Sequence, residues 1–134
     1  MSKIEIIKTF NDLVESFLVQ YSQYLGTTYH HYFTKLVKIN FLLPIQHFIY
    51  YENKYKLKDF ILARNKEYFN NFDVLNNIKN TECLSDDDNS FMDIIRLNGV
   101  YDTLTKEEQE GTWDYFQAML EYSLKYLEIE LKLK

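Results

Sequence analysis

The chain has 134 residues, of which 46% are hydrophobic and 17% aromatic, and its formal net charge is −5. That length supports one core without disulfide or metal staples, and so much apolar side chain excludes a disordered chain. Only 3 Gly and 1 Pro leave too few turns for an all-β sandwich, so the expected fold class is all-α. The expectation is a single compact helical bundle of about five or six helices over residues 1–134.

The charge is unevenly spread. Residues 1–80 carry 10 Lys/Arg against 7 Asp/Glu, and residues 81–134 carry 5 against 13. Two parts that complement each other in one fold explain this, and so does a basic face on the first part. An acidic second half repels phosphates, which favours the first explanation. Cys83 is the single cysteine, so no disulfide forms within the chain. No signal peptide is visible, and no run approaches 18 apolar residues. A soluble, intracellular protein with no membrane contact is expected.

In chain order, Ser2 and Glu5 have the spacing of a capping box, and Thr9 with Asp12 offers a second start. Phe10, Leu13, Val14, Phe17, Leu18, Tyr21, Tyr24 and Leu25 then recur in three- and four-residue steps. Gly26 suits a C-cap. The first helix therefore begins near residue 3 or 9 and ends near 25. Thr27 or Thr28 caps a second helix with Tyr29, Tyr32, Phe33, Leu36 and Val37 on its apolar face, and Asn40 ends it. Pro44 suits the first turn of a third helix. There Ile45, Phe48 and Ile49 lie on one side, and Tyr50, Tyr51 and Tyr55 widen the stripe. Leu57, Phe60 and Ile61 continue this helix or form a separate turn. Asn65 caps a short helix holding Tyr68 and Phe69, and Asp73 to Ile78 is read as one or two further turns.

Residues 79–90 are polar and acidic and read as a loop. Ser90 and Asp93 then begin a helix bearing Phe91, Ile94 and Ile95, with Asn98-Gly99 as a turn signal. The last helix carries the clearest pattern. Thr105 and Glu108 form a capping box, and Trp113, Phe116, Leu120, Leu124 and Leu127 follow at helical spacing. Tyr115, Met119 and Tyr122 widen that stripe. The single Trp of the chain lies here, so the densest part of the core is expected along this face. Residues 128–134 alternate as a strand does. Glu128–Lys132 and Glu130–Lys134 are spaced for helical ion pairs, which favours a fraying helix end over a short edge strand.

Catalytic and metal chemistry find little support. His30, His31, His47 and Cys83 lack the paired spacing of a zinc site, and adjacent histidines diverge by about 100° on a helix. Asp86, Asp88 and Ser90 match three calcium-loop positions, but Phe91 stands where that loop needs Gly and Leu97 where it needs Glu. Ser85 before three aspartates resembles an acidophilic kinase site. Cys83 beside Glu82 is in a field that disfavours the thiolate. No Gly-rich phosphate loop or Gly-x-Ser-x-Gly motif occurs. No enzyme activity, no cofactor and no metal are therefore expected.

Two binding surfaces remain. Tyr29, Tyr32, Tyr50, Tyr51 and Tyr55 suit a half-wet protein interface, because Tyr has an apolar body and a polar tip. Lys35, Lys38, Lys54, Lys56, Lys58, Arg64 and Lys66 lie among aromatics over residues 35–66, a pattern that can track a nucleic-acid backbone. The same tyrosines also fit the helical core stripe.

Three segments carry a resemblance. These are Phe10-Asn11-Asp12-Leu13-Val14-Glu15-Ser16-Phe17-Leu18, the stretch from Asn40 to Tyr55 leading into Lys66-Glu67-Tyr68-Phe69, and Leu104 to Glu108 followed by Trp113-Asp114-Tyr115-Phe116. Together they resemble small all-helical proteins that recur in giant DNA viruses of protists, the mimivirus-like group. The resemblance implies a helical viral protein in host cytoplasm, viral factory or virion, and it supplies no site. The expected function is a non-enzymatic viral structural or protein-interaction module that acts through a helix face or an oligomer interface. The alternative is a small nucleic-acid-binding factor that uses the basic stretch.

Overall fold

A computed structural model describes residues 1–68 and 100–132. Its elements are α1 (Lys3–Gln20), α2 (Ser22–Leu25), α3 (Thr28–Ile39), α4 (Leu43–Tyr55), α5 (Lys58–Leu62), a 3₁₀ turn (Tyr101–Thr103) and α6 (Lys106–Lys132). The described residues contain no strand and pack as an all-helical bundle. The expected helix at Phe69, the turns at 73–78, the acidic loop 79–90 with Cys83 and Ser85, the helix after Ser90 and residues 133–134 lie outside the described residues.

The helix ends follow local chemistry. The Glu5 N–H donates to Ser2 Oγ, and the Ser2 N–H donates to Glu5 Oε1, both at 3.2 Å. The Thr9 hydroxyl donates back to the Glu5 carbonyl at 2.8 Å, so Thr9 lies inside α1 and no second start occurs there. The helix breaks at Tyr21, and α2 adds one turn that ends at Gly26, whose φ of +78° suits a residue without Cβ. Asn40 ends α3, and its Oδ1 accepts from the Leu42 N–H at 3.0 Å. Pro44 lies in the first turn of α4, where its missing N–H costs nothing. Lys56 adopts a left-handed φ of 56° and separates α5 from α4. At the start of α6, the Thr105 N–H donates to Glu108 Oε1 at 2.9 Å, and the Glu108 N–H donates to Thr105 Oγ1 at 3.1 Å. That helix runs to Lys132, which pairs with Glu128 at 3.1 Å, so the tail is helical as far as it is described.

The core lies between α6 and α1, the most extensively packed pair. Phe17 of α1 meets Phe116 of α6 with ring centroids 5.7 Å apart. Trp113 is held edge-on by Tyr68 at 5.7 Å, Tyr101 at 5.8 Å and Phe116 at 6.0 Å. Its indole N–H donates to the Tyr101 hydroxyl at 2.9 Å. A buried indole needs such an acceptor.

The buried seam of α6 differs from the expected stripe. Trp113, Phe116 and Leu120 are buried, but Leu124 is 38% exposed and Leu127 only half-buried. The seam runs instead through Thr112, Met119, Ser123 and Tyr126. By rotation Leu124 lies within about 20° of Trp113, so the difference comes from what covers α6 at each level: Tyr68 and Tyr101 lie over Trp113, whereas Leu124 is left exposed. Two small polar residues sit on the seam because their hydroxyls are satisfied within the helix. Thr112 donates to the Glu108 carbonyl at 3.0 Å and Ser123 to the Leu120 carbonyl at 2.7 Å. A hydropathy stripe drawn through leucines overlooks them.

Two stability experiments follow from this packing. Trp113→Ala or Phe116→Ala is expected to cost about 3–5 kcal/mol in urea unfolding, and Leu124→Ala less than about 1 kcal/mol. Gly111→Ala is ordinarily favourable in a helix. Here a Cβ at Gly111 stands 2.8 Å from Tyr21 Oη, and that hydroxyl donates to the Glu108 carbonyl at 2.8 Å. Gly111→Ala is therefore expected to destabilise by about 1–2 kcal/mol. In a Tyr21→Phe background the same change becomes neutral or stabilising, which a double-mutant cycle measures.

Candidate functional site

The five candidate tyrosines do not share one surface. Tyr51 is 2% exposed and Tyr55 7%, and their rings stack at 6.0 Å with an interplanar angle of 12°. They stand three and seven residues beyond Phe48, on the buried face of α4. Tyr50 is turned one position out of that face and is 53% exposed. Its ring meets Tyr51 edge-on at 5.2 Å, with Lys54 Nζ 5.6 Å from its centroid. Tyr29 and Tyr32 are half-buried on α3.

The basic stretch is largely engaged within the fold. Arg64 donates to Glu110 Oε2 at 2.6 Å, Asp114 Oδ1 at 2.5 Å and Gln117 Oε1 at 3.0 Å. These bonds tie the residues after α5 to α6, and the Asp114 bond is the main cause that raises the Arg64 pKa. Gln117 closes the same joint by donating to the Ile61 carbonyl at 3.1 Å. Lys66 lies 3.5 Å from Asp102. Lys54 also faces the Tyr55 ring at 5.4 Å. Lys58 lies beside Glu52, whose carboxyl burial pushes up in pKa and Lys58 pulls back down. Lys35, Lys38 and Lys56 are exposed. Lys3 of α1 likewise pairs with Glu130 of α6. The basic first part and the acidic second part thus meet each other across helices.

Among the described residues, no group of three His, Cys, Asp or Glu could hold a metal ion. Cys83, Asp86, Asp88 and Ser90 lie outside the described residues. No described helix is long and apolar enough to cross a membrane.

A concavity among the described residues lies between α1 and α3, a groove of about 690 Å³. Phe33 and Val37 form its apolar floor, with Ile4 and Phe41 at one end. Two contacts set the relative direction of its walls. Asn11 Nδ2 donates to the Phe41 carbonyl at 3.0 Å, and His30 Nε2 stands 3.8 Å from Glu15 Oε1. Progress along α1 from Asn11 to Glu15 therefore runs opposite to the chain direction of α3. The carboxylates of Asp12 and Glu15 lie beyond Asn11 toward His30, and Lys8 lies before it. Lys38 completes the charged rim from α3.

Asn11 is 8% exposed, and its Oδ1 has no hydrogen-bond partner among the described residues; the same holds for His30 Nε2. The Phe41 bond fixes which way the Asn11 amide points, since the donor nitrogen must face that carbonyl. Sequence reasoning missed this groove. The available signal was a polar residue inside the apolar run of α1, at Asn11, with Ile4, Lys8, Asp12 and Glu15 on the adjoining face. Comparison with known proteins adds no assignment: no family model, no curated protein and no solved structure matches this chain.

Two predictions come from these polar contacts. Lys is a point donor and cannot reproduce a fork that spans Glu110, Asp114 and Gln117. Arg64→Lys is therefore expected to cost about 1 kcal/mol in urea unfolding. The second concerns Glu108, which joins its cap to α2. The Thr105 backbone N–H, followed by the Tyr24 hydroxyl, holds the Glu108 carboxyl below its ordinary pKa of 4.5. The Tyr24 hydroxyl donates to both carboxylate oxygens at 2.8 Å, and that bond raises the Tyr24 pKa above 10.0. A depressed carboxyl stabilises the fold above pH 4.5 and loses that contribution as pH falls through its folded value. A raised phenol stabilises below pH 10.0 and loses it as pH rises through its folded value. Melting temperatures across pH should show a shallower acid slope for Glu108→Gln and a shallower alkaline slope for Tyr24→Phe.

Proposed function

We propose that this chain is a non-enzymatic protein-interaction module that acts through the face formed by α1 and α3. The observation that carries this reading is the groove itself. It has an apolar floor, and among the described residues its rim charges Lys8, Lys38 and Asp12 make no ion pair. Apolar floors with charged rims are the anatomy of protein interfaces. Arg64 and Lys3, by contrast, are held in ion pairs with α6. The rim of this groove sets unpaired charge of both signs beside an apolar floor. A viral setting, in virion or infected cell, is part of the proposal and is supported by the resemblance of the helical segments alone.

The test is affinity purification of the full chain from its native cells, with and without nuclease, alongside Thr34→Trp. Thr34 is exposed at the groove, so an indole there fills the concavity without entering the core. The expected outcome is a protein partner, self or foreign, that survives nuclease and is reduced at least about fivefold by Thr34→Trp. Such a loss corresponds to about 1 kcal/mol of binding. Recovery that depends on nucleic acid and is indifferent to Thr34→Trp replaces this reading with the basic stretch 35–66.

A further inference from the structure

An exposed stripe of α1, which borders this groove from Ile4 to Glu15 and continues past it to Val19, is self-complementary when reversed. Ile4 and Val19 are each 55% exposed. Each stands one helical turn outside a charged rim residue, Ile4 before Lys8 and Val19 after Glu15. Lys8, Asp12 and Glu15 are exposed between them. A twofold axis through the middle of the stripe, between Asn11 and Asp12, exchanges Ile4 with Val19 and Lys8 with Glu15. These two exchanges join apolar to apolar and cation to anion, and the axis also exchanges Asn11 with Asp12.

We propose that the occupant of the α1–α3 groove is α1 of a second copy of this chain, lying antiparallel to the first about that twofold axis. The proposal rests on the reading of this groove as the interaction surface and names its partner. An isologous interface requires that the pairing of residue i with j be repeated as j with i. The stripe meets that requirement at the pair Lys8 and Glu15 and at the pair Ile4 and Val19, with Asp12 beside the axis. Antiparallel apposition places each Lys8 against the second copy's Glu15, and each Ile4 against the second copy's Val19. Lys38, on the opposite wall of the groove, supplies a further cation for the second copy's Asp12 near the axis. A foreign helix would need to reproduce this order of apolar, basic, acidic and apolar positions. A second copy already has it. With most of its rim ionic, the dimer should weaken as salt rises.

Sedimentation equilibrium of the full chain tests the arrangement, at roughly 100 µM protein, where a micromolar dimer is saturated. The expected result is a dimer whose dissociation constant rises more than about tenfold on Lys8→Glu and on Glu15→Lys. The double variant Lys8→Glu/Glu15→Lys restores the opposite-charge pair in reverse and is expected to recover the dimer. Both positions are exposed, and circular dichroism melts check that each variant is folded. A wild-type monomer at that concentration overturns the proposal. So does a dimer that both single variants leave unchanged, or a double variant no better than either single one. If the chain proves monomeric while Thr34→Trp still abolishes capture of another protein, the second copy is wrong and the groove reading stands. If Thr34→Trp changes neither capture nor dimerisation, both are wrong.

Discussion

Everything in this fold leans on the contact between α1 and α6. A 27-residue helix has a long surface to cover, and in water most of its stability must come from packing one face. That face is covered by Phe17 and Phe116 at the centre and by the ring cluster around Trp113. The chain between residues 58 and 68 is then secured against the same helix by Tyr68 from within and Arg64 from outside. Removal of the α1–α6 seam would leave α3 and α4 with too little apolar surface to hold their own arrangement.

Charge plays a second, orienting part. The imbalance between the halves of the chain is resolved by pairs that cross from one half to the other: Lys3 to Glu130, Arg64 to Glu110 and Asp114, Lys66 to Asp102. Most are exposed, so each adds little stability by itself. Their distribution along α6, from Glu110 near its start to Glu130 near its end, favours one direction of α6 against its neighbours. At the rim of the α1–α3 groove, Lys8, Lys38 and Asp12 make no ion pair among the described residues and border an apolar floor.

Much of this was legible in the sequence, and the division has a physical basis. Helix starts are encoded within four residues. Ser2 with Glu5 and Thr105 with Glu108 were readable because a capping box needs no distant partner. Asn40 and Pro44 marked the α3–α4 boundary for the same reason. Side-chain fate was harder. Tyr51 and Tyr55 fit a wet interface and a core stripe equally well by spacing, and only the approach of neighbouring helices decides between them. Leu124 looked like a core residue, and Ser123 did not. The seam follows the neighbouring helices, and a small satisfied hydroxyl is cheap to bury. The groove was least legible, since it depends on Asn11 reaching the Phe41 carbonyl, a contact 30 residues away in sequence.

The Trp113 environment has one more consequence. This indole is the only one in the chain, it is 1% exposed, its N–H is bonded to the Tyr101 hydroxyl, and its ring meets Phe116, which packs on Phe17 of α1. Tyr68 and Tyr101 lie within 6 Å of it, close enough for tyrosine excitation to pass to the indole. The protein therefore carries an intrinsic optical probe one ring away from the joint on which its fold depends. Blue-shifted emission reports a closed seam, and a red shift reports its opening. The groove lies on the other side of α1, so events there leave this signal largely undisturbed. Binding and unfolding can thus be told apart by the colour of one residue's light.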